Sequence, residues 1–409
     1  MTNVLLIAHR FCPPWSDGTI SYARGLVDTI LESNRSGKNL QITVLSSREK
    51  TLFPKFNCRE MKEYLESRGD TLECFYAPER RYKANLWKLV RKLSQAKNYD
   101  IIHILLPGFN PLWMRIATKN RNIVLKHIFI YPFHSAFTAE KLAYNFFQRS
   151  SMFKLFNIDL VFSNKILQEI YHTEGLTILP PAIDTHFYHP EPKSDCSYKA
   201  LTEPSLKFGN VSEVFQKDVV LLYMGPLLKE RFDFKNVING FKKLHKEYGI
   251  DVGLAIVGRE LGGASYFDEI KDYIRKNDFD DCVFACLKNL SEVEKACLFN
   301  IVDVFIYPFL RKLRRMSVVF PPIALLESMS AGLCVVSGGL PHLSFIIKNH
   351  ENGILIKEPI NEETFAEGVW NALLDKRKIS KNARLTIERN FSIQHVSKLY
   401  ADFLSKAGI

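Results

Sequence analysis

Short apolar runs rich in β-branched residues alternate with helical patterns along the whole chain, and they do so in two series. The first contains Asn3–Ala8, a helix-like stretch Ile20–Leu31, and the strand candidates Leu40–Ser46, Ile101–Leu106, Asn122–Ile130 and Leu160–Ser163. The second contains Val219–Met224, Gly253–Val257, Cys282–Ala285, Val302–Tyr307, Leu333–Ser337 and Gly353–Ile356. Between them, His189-Pro190-Glu191-Pro192-Lys193-Ser194-Asp195 has the composition of a linker. Strands separated by helical stretches pair in parallel through crossover helices, which makes βαβ units. Two such series predict an α/β protein of two doubly wound parallel-sheet domains. The length of 409 residues suits two or three domains at about 150 residues each. At the end, Phe391, Ile393, Val396, Leu399, Tyr400, Phe403 and Leu404 recur with the spacing of an amphipathic terminal helix, Phe391–Ala407.

Composition narrows the class further. With 46% hydrophobic and 24% charged residues, the chain is an ordinary globular protein, not a disordered or collagen-like one. No apolar run reaches the roughly 18–20 residues that span a bilayer. Met1–Ile7 has no basic segment before its apolar run, so it reads as a first strand and not as a signal peptide. The eight cysteines are scattered, and the closest pair, Cys282 and Cys286, has no second pair or His cluster to complete a zinc site. A reducing, cytoplasmic setting is the expectation. The net charge of +11 favours acidic partners such as a phosphorylated substrate or an anionic lipid surface. Nucleic acid is disfavoured because the basic residues lack the aromatic motifs of the usual modules.

Ligands of open parallel sheets bind beyond the carboxyl ends of the strands, and three loops fall there. In Phe11–Thr19, Gly18 lets a ligand approach the backbone at a helix N-terminus, or simply serves a sharp turn. In Gly225–Lys235, Lys229, Arg231 and Lys235 are placed to clamp a diphosphate, or form a solvated charge run. The third, Val318–Gly339, is the most informative. Pro322 is suited to start a helix, where its missing N–H costs little. The amides of Ile323, Ala324 and Leu325 would face an anion at the helix mouth. Gly332 ends the helix. Glu327 lies on an apolar face, and a buried carboxylate needs a partner. A pair of sugar hydroxyls would serve, and so would a backbone N–H or a lysine.

The run "IALLESMSAGLCVVSGGLPHLSFII…NGILI" resembles the C-terminal signature of the family-4 retaining glycosyltransferases. So do "YMGPLLKERFDF", "LAIVG" and "LSEVEKACLFNIVDVFIYPF" upstream of it, and "FCPPWSDGTISYARGL", "YDIIHILLPG" and "ILPPAIDTHFYHP" are similar to the family's N-terminal half. The resemblance implies the GT-B fold. Its parts would be an N-terminal Rossmann-like acceptor-side domain over 1–195, a C-terminal Rossmann-like donor domain over 210–388, and a helix over 389–409 crossing back to the first domain. It implies that Glu327 binds the donor ribose, and that Arg231, with Lys235 or Lys229, neutralises the diphosphate leaving group. Gly18 and Gly225, the helix start Pro322-Ile323-Ala324, and Cys286-Leu287 near the base would complete the donor site. The resemblance also implies a histidine that bonds the transferred sugar: His127 fits that place with a one-residue offset and His134 lies close behind, the alternative being a core or surface histidine. This chain departs from the family signature in two ways: Val319 stands where a first Glu is usual, and Pro321-Pro322 replaces a Gly-containing stretch.

The function implied is retaining, metal-independent transfer of a hexose, with no cofactor, from GDP-mannose (a mannosyltransferase) or a UDP-sugar to a glycan or a polyprenyl- or lipid-linked acceptor. The alternative is a catalytically inactive GT-B binding subunit, which Val319 favours and Glu327 and Arg231 oppose. Two basic clusters bear on the acceptor. In Pro78–Leu93, Leu86, Leu89, Val90 and Leu93 form one face, as in a crossover helix with a solvated outer side; its basic side also suits an anionic membrane. Arg311-Lys312-Leu313-Arg314-Arg315 is a phosphate-binding candidate or an exposed loop. A cytoplasmic protein peripheral to the inner membrane face is expected. Glu327→Ala and Arg231→Ala are each expected to cut transfer with the fold intact.

Overall fold

The computed structural model describes residues 1–8, 11–13, 15, 18–48, 58–78, 82–105, 123–127, 158–161, 163, 165, 177–192, 197–204, 206–229, 232–258, 265–307, 322–340, 343–357, 359–406 and 408–409. They form two compact units. One comprises Met1–Ala182 with the C-terminal Phe391–Ile409, and the other takes in most of Ile183–Asn390.

The first unit holds six parallel strands: β1 (Thr2–Ala8), β2 (Leu40–Arg48), β3 (Leu72–Pro78), β4 (Ile101–Leu105), β5 (Ile123–His127) and β6 (Ile158–Val161). Their order is β3-β2-β1-β4-β5-β6. Strand β1 is central, and its continuous apolar run follows from having both faces covered. Val4, Leu6 and Ala8 join one core with helix α1 (Gly18–Arg35), while Leu5 and Ile7 join another with Leu86 and Val90 of helix α3 (Tyr82–Ala96). Lys88, Arg91 and Lys92 of α3 are exposed, so this element is a crossover helix with a solvated basic side. Helix α2 (Cys58–Glu66) lies between β2 and β3 in the chain.

The sequence pattern did not predict β3. It is the edge strand, pairing with β2 alone; Glu73 and Phe75 are exposed, and Pro78 sits where a missing donor is tolerated.

The second unit contains β7 (Lys207–Phe208), α4 (Val211–Val214), β8 (Val219–Met224), α5 (Phe234–Tyr248), β9 (Val252–Gly258), α6 (Ser265–Lys276), β10 (Val283–Leu287) and α7 (Glu292–Ile301). It continues through β11 (Val304–Tyr307), α8 (Ile323–Ser330), β12 (Cys334–Gly338), β13 (Ile354–Ile356), α9 (Glu362–Leu374) and α10 (Lys376–Asn390). The strand order is β13-β12-β11-β8-β9-β10-β7, parallel except for the two-residue β7 at the edge. Connections run outward from β8 to β9 and β10, then return to β11 on its other side. The order therefore reverses between β8 and β11, the kind of switch point beyond whose carboxyl ends open parallel sheets bind ligands.

The last helix, α11 (Ile393–Lys406), packs against α1 in the first unit and buries Val396, Tyr400, Phe403 and Leu404. Among the described residues, no helix is long and apolar enough to cross a membrane.

Candidate functional site

The loop after β8 is tightly held. Gly225 donates its N–H to the Val257 carbonyl at 3.1 Å, and the Tyr223 hydroxyl donates to the Pro226 carbonyl at 2.8 Å. Tyr223 stacks on Phe232 with ring centroids 4.0 Å apart, Leu227 is fully buried, and the Tyr266 hydroxyl donates to the Phe232 carbonyl. The approach of Gly225 to the end of β9 leaves no room for a side chain. A Cβ on Gly258 would stand 2.0 Å from the Gly225 carbonyl oxygen. Gly258→Ala is expected to cost about 1–3 kcal/mol through forced backbone displacement, read as a lower melting temperature by calorimetry.

The basic residues of that loop do not converge. Lys229 pairs with Glu269 on α6 at 2.7 Å and lies 5.9 Å from the Tyr266 ring, whereas Lys235, exposed on α5, lies 5.9 Å from the Tyr273 ring. Those tyrosines are seven residues apart on α6, or about 10 Å along its axis. Lys229 and Lys235 therefore occupy successive positions beside α6 and do not meet at one phosphate. Arg231 lies outside the described residues.

Helix α8 follows β11, the neighbour of β8 in the sheet. Pro322 is its N-cap, with an extended ψ of 119°, one residue earlier than the first-turn position the sequence suggested. The Leu325 amide is donated to the Pro322 carbonyl at 3.0 Å, so it turns inward. Ile323 and Ala324 precede the first intrahelical bond and supply the amides of the mouth. The far end is as the sequence suggested: Gly332, at φ +76°, donates to Met329, and Leu333 donates to Ser328, a paired αL cap. Val319 and the cluster 311–315 lie outside the described residues.

Glu327 is buried at 3% exposure, and its partner is a lysine. Lys295 Nζ donates to Oε1 at 2.8 Å and to Oε2 at 2.9 Å. The Lys295 side chain is itself 6% exposed, and its Nζ lies 5.4 Å from the centre of the Tyr188 ring. Burial disfavours the ammonium, but the Glu327 charge, with help from Tyr188, outweighs that and holds the lysine above its ordinary value. Tyr188 is anchored in turn: its carbonyl accepts from Ser330 Oγ at 2.7 Å and from Arg384 Nη1 at 3.3 Å. Sequence reasoning missed Lys295. Its signal was present, because Lys295, Leu298 and Phe299 share one buried face of α7.

The remaining candidates fall as follows. Cys286 is buried within β10, where burial pushes its thiol up to about 12. Leu287 closes that strand opposite Gly258. In the first unit, Gly18 opens α1 and is exposed, and His127 is the last residue of β5, paired in register with Val161. The loop before Gly18 contains Trp15, buried at φ +58° against Phe11 and Tyr64.

Residues 207–386 match the family model of the glycosyl transferases group 1. The matched stretch contains every second-unit candidate named above. Solved structures extend the likeness to the whole chain. HepE from Anabaena, crystallised with UDP and glucose, superposes with a TM-score of 0.69 at 16% identity, over 99% of this chain and 100% of that one. Sucrose-phosphate synthase from Thermosynechococcus elongatus gives 0.64 at 15% identity, over 100% and 99%. WaaG, a glycosyltransferase of lipopolysaccharide biosynthesis, gives 0.56 at 16% identity, over 98% and 99%. The fold is GT-B. No curated protein matches the sequence.

Proposed function

We propose that the protein is a retaining glycosyltransferase that moves a hexose from a nucleoside-diphosphate sugar to a glycan or lipid-linked acceptor. The observation that carries this reading is the reversal of strand order between β8 and β11, with the Gly225 loop after β8 and helix α8 after β11, inside the stretch that matches the group 1 model. In this reading the diphosphate lies against the Ile323 and Ala324 amides, and the Glu327 carboxylate accepts from the ribose hydroxyls. Cys286-Leu287 flanks the base, and Gly225 and Gly18 allow close approach to the donor. As the sugar–phosphate bond breaks, negative charge grows on the leaving phosphate. The helix-mouth amides and Arg231 offset that charge without a metal ion or cofactor, while His127 holds the transferred sugar.

UDP is the first donor nucleotide to test, because HepE is known with UDP and with UDP-glucose; GDP-mannose is the second. The exposed basic side of α3 supports an acceptor at an anionic, cytoplasmic membrane face. A melting-temperature screen against UDP, GDP, ADP and their sugar conjugates tests the proposal. A ligand at 100 times its Kd stabilises the native state by about 2.7 kcal/mol, so one nucleotide family is expected to raise the midpoint clearly. No shift with any of them at millimolar concentration would overturn the donor reading.

A further inference from the structure

We infer that Lys295 is a positioning residue for the nucleotide: it holds the Glu327 carboxylate in fixed orientation as the acceptor for the ribose diol. The inference rests on the donor reading above and adds to it a residue on a different helix.

The placement of the pair points this way. Helix α7 follows β10 and helix α8 follows β11, so both begin at the carboxyl edge of the sheet, the edge at which such sheets bind ligands. Lys295 is the fourth residue of α7 and Glu327 the fifth of α8, so each stands about 6 Å along its helix from the mouth. A nucleoside lying across the two mouths would have this pair beneath its sugar.

Physical chemistry gives the pair no strong structural reason to exist. A buried ion pair seldom contributes more to stability than apolar side chains of the same volume. The surroundings, with Leu298, Phe299 and Leu326 all buried, would accept such a replacement. A cation near the N-terminus of α7 is also unfavourably placed in the helix dipole. A buried carboxylate that must present its oxygens to a ligand in one orientation, however, needs a partner that fixes it. The geometry is that of a holder. Nζ contacts both oxygens nearly equally, which removes the rotational freedom of the carboxylate, and each oxygen keeps a second lone-pair direction for an incoming hydroxyl.

Nucleotide binding measured by titration calorimetry with UDP, GDP and the 2′-deoxy form of each separates the possibilities. The wild-type protein is expected to prefer the ribo form about tenfold or more, the scale of one hydrogen bond to a charged acceptor. Glu327→Gln is expected to lose most of that preference. Lys295→Met is expected to bring it below threefold while the deoxy form binds nearly as in wild type. A merely structural lysine would weaken both forms alike. Should Lys295→Met fail to fold, Lys295→Gln, which keeps a neutral donor at the same place, is read instead, with the same expectation. If the lysine variants keep the full ribose preference while Glu327→Gln loses it, the role of Lys295 is overturned and the donor reading stands. If the wild type shows no preference, or Glu327→Gln retains it, the donor reading of Glu327 fails and this inference goes with it.

Discussion

Removal of residues 391–409 is expected to unfold the first unit and leave the second intact, although the deleted segment comes last in the chain. Helix α11 lies on α1, and Val396, Tyr400, Phe403 and Leu404 are buried there. At about 1.5–3 kcal/mol per fully buried large apolar side chain, the four contribute roughly 6–12 kcal/mol. Whole domains are stable by only about 5–15 kcal/mol, so the deletion removes most or all of the margin. Polar contacts add to this. Tyr400 Oη lies 2.8 Å from His103 Nε2 on the central strand β4, and Lys38 Nζ donates to the Ile409 carbonyl at 3.1 Å. Burial raises the Tyr400 phenol, which stays protonated at neutral pH and leaves His103 with a neutral neighbour. Tyr400→Ala alone is expected to cost about 3–5 kcal/mol, the range for large aromatic truncations. Calorimetry of the truncated chain should show one transition where the full chain shows two, or a single transition of smaller enthalpy. An unchanged thermogram would mean that α11 only rests on the unit.

That helix is the clearest case of what could be read in advance and what could not. Its spacing was plain in the sequence, but its destination lies more than 350 residues away in the chain and came only from the family resemblance. Strands such as β1 and β9 were legible for a physical reason: buried on both faces, they have no polar positions to interrupt the run. Strand β3 was not, although Leu72-Glu73-Cys74-Phe75-Tyr76-Ala77 is largely apolar: the run is short, Glu73 interrupts it, and Pro78 at its end argues against a strand in a sheet interior. Within the site, the ends of α8 were legible from Pro322 and Gly332, whereas the inward turn of the Leu325 amide was not. For Glu327 the sequence admits a sugar, a backbone N–H or a lysine as partner. Nothing local links Glu327 to Lys295; the two are brought together by the packing of α7 on α8.

This pairing changes what Glu327→Ala should do. The sequence alone suggested lost activity with the fold intact, but the structure shows that the substitution strands an ammonium at 6% exposure among apolar side chains. Leaving one member of a buried pair uncompensated typically costs about 3–5 kcal/mol, so Glu327→Ala is expected to lower stability by that amount as well as nucleotide affinity. The double variant Lys295→Met/Glu327→Ala should recover most of the lost stability and none of the lost affinity, because it removes the stranded charge without restoring an acceptor. Chemical denaturation and nucleotide titration on the wild type, Glu327→Ala and the double variant separate the two effects. The pH dependence gives an independent check with a definite sign. The native state holds the Lys295 proton more tightly than the unfolded chain, so the pair contributes in full at neutral pH. Its contribution fades as pH rises above the ordinary lysine value of 10.5 and through the higher native value. The wild type should therefore lose more stability than the double variant over that alkaline range. Equal alkaline losses, or a double variant no more stable than Glu327→Ala, would mean that the two charges do not hold each other in solution. In that case Glu327→Ala is a clean test of donor binding after all.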